Sequence, residues 1–156
     1  MAQLVSIVYQ PLDREYAGPR DADFIREPLD TAELVAGHGL RGDRKAGHNP
    51  DRQVNVLSAD WLTMAATRGY RAGPGQFGEQ LIVAGLDPAV LPPGTRLQLG
   101  AAAVLEIVKG RTGCERLELA QGKSIAGLGP IGALARVIEG GPIHVGDPVA
   151  VLEPAM

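Results

Sequence analysis

The side chain best equipped for chemistry in this sequence is Cys114, the one cysteine among 156 residues. Arg111 and Arg116 flank it within a Gly-rich segment, and a guanidinium beside a thiol favours the thiolate. A thiolate here could carry sulfur as a persulfide or ligate a soft metal. The bland alternative is a buried, inert thiol, a common state for a lone cysteine. One cysteine rules out an internal disulfide and a Cys-rich zinc cage. His38, His48 and His144 are far apart and lack any zinc-ligand spacing, so a metal triad is not expected. His48, in the turn Gly47-His48-Asn49-Pro50, is a candidate proton donor or ligand contact, weighed against a solvated loop histidine. Gly73-Pro74-Gly75 lacks the Lys-Ser or Lys-Thr of a phosphate-cradling loop, and no Ser–His–Asp set assembles from local motifs.

These residues must be positioned by short elements. With 21 Gly and 12 Pro, the chain is punctuated too often for long helices. Apolar periodicity between turn residues predicts strands over 4–9, 32–36, 53–57, 80–83, 96–99, 104–108, 133–138 and 148–152. Eight such strands predict a mainly β fold, a closed or nearly closed barrel. One helix is well signalled over 59–68, with Ser58 as its cap, Asp60 in the first turn and Gly69 as its stop. Trp61, Leu62, Ala65 and Ala66 form its expected packing stripe, with Trp61 read as an anchor. A second short helix is expected over 115–119.

At 45% apolar content, the chain reads as one domain over 1–156, with one polar, charge-alternating loop over 11–28. The net charge of -3 offers no field for a polyanion or an anionic membrane, so nucleic acid and membrane are not expected partners. The first residues lack a basic region and a long apolar run, which predicts no signal peptide and a cytoplasmic address.

Several fragments, in order, resemble the MOSC family, the C-terminal domain of molybdenum-cofactor sulfurases. They are Gly39-Leu40-Arg41-Gly42-Asp43-Arg44, then His48 and Asp51-Arg52-Gln53-Val54, then Pro74-Gly75-Gln76-Phe77-Gly78-Glu79-Gln80-Leu81. Downstream, Gly85-Leu86-Asp87, Arg111-Thr112-Gly113-Cys114, Arg136-Val137-Ile138 and Val145-Gly146-Asp147-Pro148-Val149 continue the match, which covers about 32–152. The resemblance implies a β-barrel related to the barrel domain of pyruvate kinase. Two departures stand out: the family commonly has Gly-Glu-Asn where this chain has Gly78-Glu79-Gln80, and Pro where it has Gly113.

The resemblance further implies the molybdenum cofactor (molybdopterin) or its sulfuration chemistry, with Cys114 as catalytic residue and metal ligand; pyridoxal phosphate is not expected. An anionic pterin needs converging cations and polar groups. Arg52 and Arg111 are the candidates for its phosphate, with Asp43, Glu79 and Gln80 for the pterin edge and His48 and Gly78 as further contacts. Two functions follow as expectations. One is a molybdenum-dependent oxidoreductase that reduces N-hydroxylated or related small molecules and needs a separate redox partner. The other is a sulfur carrier or cofactor-delivery module, which passes a persulfide between donor and acceptor proteins without turnover of its own.

Overall fold

The structure, a computed structural model, describes residues 1–13, 15 and 26–152. Most of the polar loop expected over 11–28 lies outside the described residues. Among the described residues are eleven strands: β1 (Ala2–Tyr9), β2 (Glu27–Leu29), β3 (Thr31–Val35), β4 (Gly39–Leu40), β5 (Val54–Ser58), β6 (Leu81–Ala84), β7 (Arg96–Leu99), β8 (Ala103–Gly110), β9 (Ala133–Glu139), β10 (Gly141–His144) and β11 (Pro148–Val151). The α-helices among the described residues are α1 (Ala59–Thr67) and α2 (Glu115–Gln121).

Seven strands close a barrel in the order β11-β7-β8-β9-β5-β6-β1, with β2 hydrogen-bonded outside β1. The ring shuts where β1 meets β11, pairing Ala2 with Val149 and Gln3 with Pro148. The Leu4 N–H donates to the Asp147 carbonyl and the Gly146 N–H to the Leu4 carbonyl just beyond that seam. All the barrel pairs are antiparallel except β5–β6, whose parallel register requires a crossover carrying α1 and residues 70–80. All eight expected strands exist, but β3 is not a stave: it pairs with β10 and β4 in a separate three-stranded sheet. Closure by seven strands rather than eight is therefore a correction that only long-range pairing could supply.

Period-two alternation divides two cores. On β5, Val54 and Val56 face the barrel interior while Leu57 faces outward; on β6, Leu81 and Val83 face in while Ile82 faces out. The outward residues meet Leu62 and Ala65 of α1, Leu117 of α2, and the fully buried Phe77. Trp61 packs its edge on Phe77, with ring centroids 5.0 Å apart at 82°, the anchor role expected of it. Ala66, by contrast, is exposed and leaves the expected stripe, because the helix presents Leu62 and Ala65 to the barrel wall. Ser58 Oγ accepts from the Trp61 N–H at 3.2 Å, the predicted cap. Gly132 (φ +69°) sits where a Cβ would stand 2.4 Å from the Val56 carbonyl oxygen, so the bend into β9 depends on glycine.

Candidate functional site

Cys114 is exposed and occupies the cap position of α2, where β8 has left the barrel through residues 111–113. It is therefore not a sealed packing thiol. Beside it opens a cleft of about 680 Å³, within the range of small-molecule sites. Among the described residues, five cationic ones line it, Arg26, Lys45, Arg52, Arg111 and Arg116, against one carboxylate, Glu115. Residues as distant in sequence as Lys45, Arg52 and Arg111 thus converge at the lone thiol.

Arg111 is the most telling of them. It is only 6% exposed, and one guanidinium N–H donates to the Phe77 carbonyl, while Nε is buried without a hydrogen-bond partner. Its pKa is lowered to about 10, first by burial and then by repulsion from Arg52, with Cys114 and Glu79 pulling the other way. Two guanidinium groups close enough to repel, one of them desolvated, concentrate positive charge at this end of the cleft.

The turn over 73–80 builds the floor. Glu79 is fully buried, and its oxygens accept from the Gly75 N–H at 2.6 Å and the Phe77 N–H at 3.1 Å. Burial raises its pKa, opposed by those backbone donors and by Arg111. Glu79 thus stitches the turn together and is not among the residues lining the cleft. Asp43 is also buried: Oδ1 accepts from the Gln10 N–H and Oδ2 from Gln80 Nε2 at 3.3 Å. It lies behind Gln80 and does not line the cleft either. Gln80 does, and its Oε1 accepts from the Asn55 N–H at 2.7 Å, so the longer amide spans between β5 and Asp43. Gly78 lines the cleft and accepts from Asn55 Nδ2 through its carbonyl. His48 lines it too, with Nε2 donating to the Arg44 carbonyl at 2.8 Å.

Of the residues singled out from the sequence, Cys114, Arg52, Arg111, His48, Gly78 and Gln80 share one cleft, while Asp43 and Glu79 support it from behind. Sequence reasoning missed Asn55, Lys45 and Arg26 on the same lining. Asn55 left a trace, a lone amide inside the apolar run Val54-Asn55-Val56-Leu57; Lys45 and Arg26 left none. Among the described residues, no three His, Cys, Asp or Glu side chains group to hold a metal, so Cys114 is a single soft donor.

The second departure from the family pattern also has a structural partner. A Cβ at Gly113 would stand 1.9 Å from Ile125 Cδ1. Ile125 fills the space that a side chain at 113 would take, so the pair belongs together.

The fold is thus a closed barrel that presents one exposed thiol beside a cation-lined cleft. The chain belongs to the MOSC domain family, whose pattern matches residues 43–150. The fold is similar to that of YiiM from Geobacillus stearothermophilus, with a TM-score of 0.72 and 21% identity over 98% of this chain and 76% of that one. It is likewise similar to the YUAD protein from Bacillus subtilis, with a TM-score of 0.72 and 18% identity over 96% of this chain and 94% of that one. YiiM from Escherichia coli gives a TM-score of 0.69 and 21% identity, over 98% and 71%. Comparison with curated proteins gives no match. No helix of the described residues is long and apolar enough to cross a membrane.

Proposed function

We propose that this protein binds the molybdenum cofactor in the cationic cleft, with Cys114 as the thiolate ligand, and that the loaded protein reduces N-hydroxylated or related small molecules. The observation that carries this reading is the convergence of an exposed thiol with Arg52 and the buried, incompletely satisfied Arg111. The residues fit the group: Arg52 and Arg111 suit its phosphate, and Gln80, Asn55 and His48 offer donors and acceptors to a pterin edge. When bound, the cofactor supplies a metal centre for oxygen-atom and two-electron chemistry. The chain's own contribution is to orient that group, neutralise its charge and present one soft donor. A separate redox partner must deliver the electrons.

The test is metal and pterin analysis of protein made in a host with intact molybdenum-cofactor synthesis. Molybdenum and pterin should co-purify with the wild type and be lost in Cys114→Ser, with stability changed by no more than about 0.5 kcal/mol because the residue is exposed. A serine variant that keeps both cofactor and reductase activity refutes the assignment. A persulfide at Cys114 without metal or pterin would assign the protein as a sulfur carrier instead.

A further inference from the structure

Asn55 is set apart on the cleft lining by what its side chain leaves open. Gln80 holds its backbone on both sides: the Asn55 N–H donates to Gln80 Oε1 at 2.7 Å, and the Asn55 carbonyl accepts from the Gln80 N–H at 3.1 Å. The side-chain amide is fixed as well, with Nδ2 donating to the Gly78 carbonyl at 3.0 Å. That bond settles which end of the amide is which, since a carbonyl accepts only from an N–H. Among the described residues Oδ1 has no partner, and it is not sealed from solvent. The other amide oxygens on the lining are occupied, Gln80 Oε1 by Asn55 and Asn49 Oδ1 by the Asp51 N–H at 2.9 Å. Glu115 and His48 also have acceptor capacity there, but both are exposed, whereas Asn55 is half-buried and locked. Around it the arginines and Lys45 can only donate. A purely anionic ligand suits those cations, yet its oxygens repel an amide oxygen held rigidly among them. A ligand with an anionic group and an N–H satisfies both.

We propose that Asn55 is the specificity-determining residue of the cleft: its Oδ1 accepts from an amine N–H of the ligand, so the site selects anions that carry such a donor over equally charged anions that lack one. The inference rests on the cofactor reading above and deepens it, because a pterin phosphate is an amine-bearing anion. A locked acceptor discriminates sharply, since a ligand without the N–H covers Oδ1 and leaves it unpaired. Gln80, one of the two departures from the family pattern, fixes the strand backbone that carries Asn55.

The test is calorimetric binding to cofactor-free protein of three ligands: 6-carboxypterin, its analogue with hydrogen in place of the exocyclic amine, and pyrophosphate. The wild type should bind the amine-bearing pterin about fivefold to tenfold more tightly than the analogue, the value of one hydrogen bond. Asn55→Val keeps a strand-forming side chain and removes the acceptor, so that preference should fall below about twofold while pyrophosphate is bound within about twofold of the wild type. Asn55→Ala should give the same ratio, and it carries the test where the valine variant does not fold. Taking the ratio within one variant cancels any general distortion of the cleft. A wild type that binds both pterins alike, or neither, would overturn the proposal. So would a preference that survives in the variants, or a loss that falls equally on all three ligands, which is the mark of a purely structural residue. Failure of the cofactor reading shows separately, as protein from a competent host without molybdenum and pterin.

Discussion

Arg111 is where single-residue chemistry bears most directly on function. Burial lowers the pKa of its guanidinium to about 10 in the folded protein, well below the ordinary arginine value that it keeps in the unfolded chain. Between those values the unfolded state binds more protons, so stability rises with pH across that window. The favourable contribution is complete only above the ordinary arginine pKa and is lost as pH falls through about 10; at neutral pH the buried cation is a cost. An anion in the cleft offsets that cost. Pyrophosphate should therefore raise the melting temperature at neutral pH, and its affinity should fall as pH climbs through about 10 and Arg111 loses its charge. Arg111→Met should weaken pyrophosphate binding by about tenfold to a hundredfold, the value of a charge-assisted hydrogen bond of about 1.5–3 kcal/mol. Calorimetric titration at pH 7.5 and at pH 10.5 checks both statements.

At the scale of elements, the site depends on how α2 is tied to the turn that holds Arg111. Gln121, buried at the end of α2, accepts from the Arg71 N–H at 2.8 Å and donates to the Arg71 and Gln76 carbonyls at 2.8 and 3.4 Å. Tyr70 adds its hydroxyl to the Ser124 carbonyl, and Lys123 lies over the Tyr70 ring while donating to the Arg68 carbonyl. One end of the clamped helix carries Cys114, and the clamped turn carries Phe77, whose carbonyl receives Arg111. A seven-residue helix is too short to be stable alone, so its place is set by these contacts and by Leu117. Gln121→Leu should remove the hydrogen bonds that its amide makes to the part-buried Arg71 and Gln76 backbone groups and destabilise the protein by about 1–3 kcal/mol. Hydrogen exchange should quicken at Arg71 and through 73–78 before it changes in β5 or β9. Gln121→Glu, which keeps the acceptor for Arg71, should fall between the two.

Over the whole molecule the net charge is -3, yet one cleft gathers five cations among the described residues. Overall charge gives no long-range attraction for anions, so their binding is a local effect of converging side chains. Exposed Arg52 and Arg116 are open to screening, whereas buried Arg111 is shielded from it. Raising salt from about 0.05 to about 0.5 M shortens the screening length from about 14 to about 4 Å, and should weaken pyrophosphate binding several-fold without abolishing it. Titrations across that range should show the residual high-salt binding disappear in Arg111→Met.

Local patterning made much of this protein legible. Turn residues every few positions and two-residue alternation marked all eight expected strands, and Ser58, Asp60 and Gly69 marked α1, because caps and alternation act between near neighbours in the chain. The sequence also singled out Cys114, Arg52 and Arg111 as a group. The short strands β2, β4 and β10 escaped notice, since two to four residues carry too little periodicity and exist only through their partners. Likewise, the exclusion of β3 from the barrel, the burial of Asp43 and Glu79 behind the cleft, and the arrival of Lys45, Asn55 and Arg26 on its lining were decided by the tertiary structure. So was the pairing of Gly113 with Ile125. Each is a contact between residues distant in sequence, and whether a carboxylate lines the cleft or is buried behind it depends on the register of the strands and turns around it, which no local spacing encodes.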